Sequence, residues 1–279
     1  MAEPLVAPDL LLAAVRTANP SWLSLVAALS LVGVAVVLSV VQRLGLHQDL
    51  TVAALRAGAQ LALIGVALQL VLQPGRSLWP CWLWVAVMVV FAAWTNQRRA
   101  PEVPGAFGLA VFAYVAALTV TLGVLFGFRI FPLEARTLIP LSGMVVGNSL
   151  ASTVLVGRRI IADLRDRSDE VEARLALGMT SAEAAHPFVR GAIRTALVPQ
   201  IETTKAVGIV FLPGAMVGLI LAGADPLTAV KVQVAVMYLV LGAVSTTTAV
   251  MGLGLTRRLF TPDHRLVRLP APEDPTSTR

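Results

Sequence analysis

Long apolar runs alternate with short polar or glycine- and proline-rich breaks along most of this chain. A helix of about 20 apolar residues crosses the roughly 30 Å core of a bilayer, and seven runs meet that length. We therefore predict an all-α, polytopic membrane protein with about seven transmembrane helices. The predicted spans are residues 21–42, 50–73, 78–96, 106–128, 138–156, 203–223 and 227–255.

The composition supports a membrane protein rather than a soluble one. Hydrophobic residues make up 57% and charged residues 14% of the 279 residues, whereas about a quarter of the residues in soluble domains are charged. The net charge of +6 does not predict a nucleic-acid partner, because Lys and Arg in a membrane protein report topology first. The single cysteine, Cys81, has no internal disulfide partner.

The placement of basic residues predicts the orientation. With the N-terminus outside, fifteen arginines fall in cytoplasmic segments, four fall outside, and three basic residues fall within spans. This asymmetry favours an outside N-terminus and a cytoplasmic C-terminus. The predicted organisation is an extracytoplasmic tail at 1–20, a transmembrane domain at 21–256 with a cytoplasmic loop at 157–200, and a cytoplasmic tail at 257–279. Four prolines in the last segment predict disorder.

The long cytoplasmic loop contains a predicted helical turn. Its charged segment 163–172 is expected to be a solvated helix that closes at Gly178, since glycine supplies the left-handed conformation that ends many helices. Thr180 and Glu183 then have the spacing of a capping box, in which each side chain accepts a hydrogen bond from the other residue's amide. A second helix should begin at Ser181.

Proline is expected to interrupt this second helix. Pro187 lacks an amide donor and clashes with the carbonyl four residues back, so the sequence predicts a break or kink near His186. A further helical stretch, 188–197, carries Arg190 and Arg194 on one face, where cytoplasmic water or acidic headgroups would solvate them. On these features alone, a solvated helical hairpin that tethers two spans is the favoured interpretation.

Two stretches carry a family resemblance. The segment EARLALGMTSAEAA resembles the E-A-A-x-x-x-G motif of ABC-transporter permeases, with Glu172, Ala173 and Gly178 in register and Arg174 in place of the second alanine. The segments 139–148 and 175–226 resemble the FetB-type permeases, a family implicated in bacterial iron export. Plant relatives in aluminium tolerance, one of them linked to UDP-glucose, are similar too. The similarity covers nearly the whole chain.

The resemblance implies a function and a set of partners. It implies a permease in the inner membrane, working as a homodimer with two separate ATPase subunits and exporting iron or another metal ion. Export of a nucleotide sugar such as UDP-glucose and an ATPase-independent carrier or channel remain alternatives. The loop would be the coupling helix that docks into the ATPase. The residues expected to couple to the ATPase are Glu172, Ala173, Gly178, Thr180, Glu183 and Pro187.

The lysines test one part of this expectation. A P-loop requires the pattern G-x-x-x-x-G-K-[ST], but Thr204 precedes Lys205 and Val230 precedes Lys231, the two lysines of the chain. We therefore expect no enzymatic activity and no cofactor in this chain, and ATP with Mg²⁺ on a partner subunit.

The fifth and sixth predicted spans are the candidates for the transport path. Each contains a proline followed by closely spaced glycines, and irregular backbone at membrane depth is tolerated mainly where it lines a cavity. For the glycines themselves, close helix packing is the favoured explanation. The predicted path residues are Met144, Asn148, Glu202, Lys205, Pro213 and Met216.

Each path residue also has a structural interpretation. Asn148 is explained as well by a hydrogen bond to a neighbouring helix, whereas core packing is the favoured explanation for Met144 and Met216. Glu202 and Lys205 fit an interfacial ion pair, although Glu202 would also attract cations to the cytoplasmic entrance. No histidine pair or carboxylate cluster lies within a span, so the metal-binding residues stay unknown, with a site at a dimer axis as one option.

Overall fold

The computed structural model describes residues 22–71, 77–261, 263 and 265–267. This part of the chain is all-α, which confirms the predicted fold class. The N-terminal tail and most of the C-terminal tail lie outside the described residues. The helices are α1 (Trp22–Val41), α2 (His47–Val71), α3 (Trp79–Arg99), α4 (Ala106–Gly127), α5 (Ala135–Asp166), α6 (Ser168–Ala176), α7 (Ser181–Ala206), α8 (Gly214–Leu221) and α9 (Pro226–Leu259).

Five helices in the described part are long and apolar enough to cross a membrane, namely α2, α3, α4, α5 and α9. The apolar stretch of α1, Val26–Val41, is shorter. Aromatic residues at both ends of α3 fit the two membrane interfaces: Trp79 and Trp82 lie at its start, and the Arg98 guanidinium lies 4.1 Å from the Trp94 ring centroid at its end. The count of seven spans and the orientation stay predictions.

The chain divides into two compact units, and the first comprises the residues up to Ser77 together with Pro213–Lys231. Within it α1 packs against α2. The turn between them uses left-handed backbone at Arg43 and Gly45, and the buried Ser39 hydroxyl accepts a hydrogen bond from the Leu46 amide at 3.1 Å. Most apolar side chains of α1 and α2 are exposed, as expected for helices that face lipid.

The second unit comprises Leu78–Leu212 and the chain from Val232. In it α3, α4 and α5 pack against one another and α7 packs along α5. Helix α9 fits closely because it carries glycine at the contacts. A Cβ on Gly254 would lie 2.4 Å from Leu109 of α4, and one on Gly252 would lie 3.0 Å from Ile193 of α7.

The sixth predicted span, 203–223, is wrong as a single helix. Helix α7 ends at Ala206, and α8 begins only at Gly214 and has eight residues. Gly208 between them has φ of +84°, a left-handed conformation outside the helix. Pro213 provides no amide donor and disfavours helical backbone at the residue before it. The apolar composition is continuous across this break, but the helix is not.

Two further predictions about the loop need correction. The break near His186 is wrong, because α7 runs without interruption through Pro187 and Pro199. Proline removes one hydrogen bond there, while the neighbouring Phe188 is buried and keeps the segment packed. The single solvated helix at 163–172 is wrong too. Helix α5 extends to Asp166, Arg167 separates it from α6, and side chains on both sides of that junction are buried.

Candidate functional site

The most specific local structure in the loop that is predicted to be cytoplasmic is the turn between α6 and α7. The Gly178 amide donates to the Leu175 carbonyl at 2.9 Å, and the Met179 amide donates to the Arg174 carbonyl at 3.2 Å. These two bonds are the Schellman pattern, which satisfies the last carbonyls of a helix. Gly178 has φ of +86°, where a side chain would be strained. The predicted helix end at Gly178 is confirmed.

A reciprocal capping box begins α7. The Thr180 amide and hydroxyl both donate to the Glu183 carboxylate at 2.8 Å, and the Glu183 amide donates to the Thr180 hydroxyl oxygen at 3.3 Å. The bond from the Thr180 amide, followed by that from its hydroxyl, lowers the pKa of the exposed Glu183 carboxyl. The capping box and the start at Ser181 are confirmed. The hydrogen bonds that end α6 and the capping box that begins α7 together fix the path of the chain between the two helices.

The turn stands on a hydrophobic core. Val171 of α6 and Phe188 of α7 are fully buried together with Leu164 of α5 and Leu255 of α9. These contacts tie the short helix α6 to three long helices of the second unit. The base of the turn is therefore packed against the second unit rather than held by a loose loop.

Arginine side chains reinforce the base of the turn. The guanidinium of Arg167 lies 4.6 Å from the centroid of the Phe188 ring, and that of Arg174 lies 5.9 Å from it. Arg174 also donates to the Glu170 carboxylate at 2.7 Å. The arginine that departs from the family motif thus bridges α6 and α7, which an alanine at that position would not do.

The tip of the turn exposes apolar side chains. Leu177 is 80% exposed and Met179 is 40% exposed, on either side of Gly178. Exposed apolar side chains at a turn are typical of an interaction surface when they lie together. Leu177 and Met179 are not among the residues predicted to couple to the ATPase, although their position beside the capping glycine indicates exposure at the turn. Glu172, Ala173 and Pro187 are exposed as well.

The predicted path residues of α5 lie within one helical turn. Asn148 is exposed, and its side-chain amide donates to the Met144 carbonyl of its own helix at 2.8 Å. Met144 is half-buried. The alternative in which Asn148 bonds a neighbouring helix has no support among the described contacts. Its exposure leaves it available to a path or to a partner.

Glu202 and Lys205 form the predicted ion pair in the last turns of α7. The Lys205 ammonium donates to the Glu202 carboxylate at 2.9 Å, and both side chains are exposed. Exposed pairs of this kind contribute little stability. Pro213 and Met216 belong to the first unit, at the start and in the body of α8.

A buried polar cluster at the junction of α3, α4 and α5 was not predicted. Asn96, Tyr114, Ser149 and Thr153 are all fully buried. The Asn96 amide donates to the Tyr114 hydroxyl at 3.5 Å, and the Thr153 hydroxyl donates to the Ser149 carbonyl at 2.6 Å. The other amide atom of Asn96, Oδ1, and the Ser149 hydroxyl have no partner among the described residues. Sequence alone could not bring together positions this far apart.

No group of three or more His, Cys, Asp or Glu side chains suited to a metal ion occurs within the described residues. The metal-binding residues therefore stay unknown, as they were from the sequence. Glu202, whose side chain is exposed, is the one acidic residue among the six predicted path residues.

Comparison with known proteins decides the family. A match to the uncharacterised protein family UPF0014 spans residues 22–260. The chain belongs to the UPF0014 family. UPF0014 relatives include the rice membrane protein STAR2, 38% identical over 218 residues that cover 78% of this chain and 76% of the relative. The resemblance inferred from the motifs is confirmed.

Two further UPF0014 relatives have informative names. The Escherichia coli protein named probable iron export permease protein FetB is 32% identical over 249 residues, covering 88% of this chain and 94% of the relative. The Arabidopsis protein ALUMINUM SENSITIVE 3 is 35% identical over 217 residues, covering 78% and 79%. No solved structure matches the chain. Membership of a family of membrane permeases is consistent with a transport subunit rather than an enzyme.

Proposed function

We propose that this chain is the permease subunit of an ATP-driven exporter of metal ions, with iron as the first candidate. Its relative in Escherichia coli is named a probable iron export permease, and apolar helices long enough to span a membrane make up much of the described structure. The coarse function, a multi-pass membrane transport protein, follows from the family. The metal, the ATPase and the inner membrane are the proposed additions.

The capped turn between α6 and α7 is the observation that carries the proposal. It is exposed, its backbone is fixed at both ends, and its base is buried among the long helices. A surface of this kind suits a partner that pushes and pulls on it. We propose that the partner is a separate P-loop ATPase, since this chain lacks a P-loop.

The route of force is then short. Closure of two ATPase subunits on ATP would displace the tip at Leu177 and Met179. Val171 and Phe188 would pass the displacement to α5, which runs for 32 residues from Ala135 to Asp166. Helix α5 carries Met144 and Asn148, so motion of the turn reaches the proposed path directly.

The path itself is proposed to form between two copies of this chain. The proposed lining in the second unit is Met144 and Asn148 of α5 with Glu202 and Lys205 of α7, and Pro213 and Met216 are proposed separately as lining in the first unit. The exposed Glu202 carboxylate would attract cations at the cytoplasmic side. A thioether sulfur favours soft metals, whereas iron(II) prefers imidazole or carboxylate. Glu202, rather than a methionine, is therefore the proposed first contact for iron.

Association with the ATPase tests the proposal. The permease would be co-expressed with a P-loop ATPase that lacks membrane spans, and the pair purified through a tag on one subunit. We expect Gly178→Val and Glu183→Lys to lose the ATPase, because the first strains the left-handed residue and the second removes the capping carboxylate. Gly191→Val is the matched control, since Gly191 is an exposed α7 glycine with open space around it.

Transport provides the second readout. Inside-out vesicles that contain both subunits should accumulate labelled iron only with ATP, and the two turn variants should not. If both turn variants bind the ATPase and move iron as the wild type does, the docking assignment is rejected.

A further inference from the structure

A long apolar groove lies on the second unit between α3 and α4. Its volume is about 570 Å³, and its walls are almost entirely apolar. Trp82 and Val90 line it from α3, Val115, Gly123 and Phe126 line it from α4, and Leu133 closes one end. The hydroxyl of Thr119, which also borders the groove, already donates to the Val115 carbonyl at 2.9 Å. The groove therefore offers no free polar group along its length.

The dimensions of the groove suit a hydrocarbon chain. Along α4 it extends from Val111 to Phe126, which is roughly 22 Å at the helical rise of 1.5 Å per residue. One leaflet of a bilayer contributes roughly 15 Å of hydrocarbon, so an acyl chain within one leaflet fits inside this length. Both α3 and α4 are long enough to span a membrane, so in a membrane the groove between them would lie at the depth of the acyl chains.

Two arginines mark one end of the groove. Arg129 follows Phe126 by three residues, and Arg136 follows Leu133 by three residues in the first turn of α5. Both side chains are exposed, and neither forms an ion pair within the described part of the chain. Guanidinium groups bind phosphate through paired, charge-assisted hydrogen bonds. Glu134 adjoins Leu133 and is exposed too, so two positive charges and one negative charge lie here, and the net positive charge complements a molecule with an anionic head and a hydrocarbon tail.

We propose that this groove is a binding site for an anionic phospholipid. One acyl chain lies between α3 and α4, and the lipid phosphate binds Arg129 and Arg136. The site belongs to the second unit alone and does not depend on the transported substrate or on the ATPase. Bound lipid would fill the groove between α3 and α4, which already pack against each other in the second unit.

Glycine 123 allows the groove to be closed without disturbing the helix. A Cβ added at Gly123 meets no atom within 4 Å, so Gly123→Leu projects a side chain into the groove. Gly127→Leu is the matched control, because Gly127 ends the same helix, also has open space around it, and does not line the groove. Ala86→Leu fills the groove from α3 and serves if Gly123→Leu does not fold.

The full-length protein would be purified in detergent and incubated with dioleoyl phosphatidylglycerol or dioleoyl phosphatidylcholine. Native mass spectrometry then counts the lipids retained on each protein. We expect a roughly tenfold preference of the wild type for the anionic lipid, since phosphatidylcholine has the same phosphate but also a choline cation that the two arginines repel. Gly123→Leu should lose the retained lipid, and Gly127→Leu should keep it.

The arginines are tested separately. The double variant Arg129→Gln, Arg136→Gln should bind the two lipids equally, whereas Arg190→Gln on the far-removed α7 surface should keep the preference. Equal retention by wild type and Gly123→Leu would overturn the proposal. So would a shift of Gly123→Leu from dimer to monomer without any change in bound lipid, because a second copy of the chain would then cover the groove.

Discussion

The exposed tip of the α6–α7 turn allows partner binding to be separated from folding. Leu177 is 80% exposed, so Leu177→Ser removes little from the packing of the permease itself. Complete burial of a leucine side chain is worth about 1.5 to 3 kcal/mol. If docking buries the exposed four-fifths, the lost free energy of association is about 1.2 to 2.4 kcal/mol, or roughly an 8-fold to 60-fold rise in Kd for the ATPase.

Two comparisons make this prediction specific. Phe128→Ser is the control for exposure. Phe128 is 78% exposed directly after the end of α4 and is not part of the α6–α7 turn, so this variant should leave the Kd for the ATPase unchanged. Phe188→Ala is the control for folding, because Phe188 is buried in the base of the turn, and it should cost about 3 to 5 kcal/mol of stability.

The assay is a titration of the purified ATPase onto the detergent-solubilised permease, with thermal unfolding measured on the same samples. We expect Leu177→Ser to raise the Kd without lowering the Tm. An unchanged Kd would refute the assignment of the tip as a contact. A lowered Tm with an unchanged Kd would show instead that Leu177 supports the fold.

Three other predictions concern the turn and the path. Gly178→Ala should lower stability by about 1 kcal/mol because Gly178 is left-handed, and Gly191→Ala should not; thermal unfolding compares them. The pKa of Glu183 is lowered from 4.5, so the stabilising cap is fully present above that pH and is lost as the pH falls through the lower folded pKa. Hydrogen exchange at the Thr180 amide should detect this loss, and Glu183→Gln should abolish the pH dependence. Glu202→Gln should change stability by less than about 1 kcal/mol but should raise the cation concentration needed to stimulate ATP hydrolysis; an unchanged concentration dependence would remove Glu202 from the entrance.

The features that the sequence predicted correctly depend on neighbouring residues. The end of α6 requires only that Gly178 adopt positive φ, and the start of α7 requires only that Thr180 and Glu183 stand three residues apart. Both are local hydrogen-bonding patterns. The positions of the long apolar helices are equally local, because they follow from hydropathy over about 20 residues.

The features that it missed depend on packing. The apolar composition across 203–223 hides the break at Gly208 and Pro213, since hydropathy does not register backbone conformation. Pro187 was expected to break a helix that burial of Phe188 holds together. The exposure of Leu177 is a property of the folded turn, and the contact between Asn96 and Tyr114 depends on two helices meeting.

Iron accumulation in inside-out vesicles tests the central claim most directly. Vesicles with the permease and its ATPase should take up labelled iron when ATP is present, vesicles with the permease alone should not, and Gly178→Val should abolish the ATP-dependent uptake of the pair. Equal uptake with and without the ATPase subunit would contradict the account.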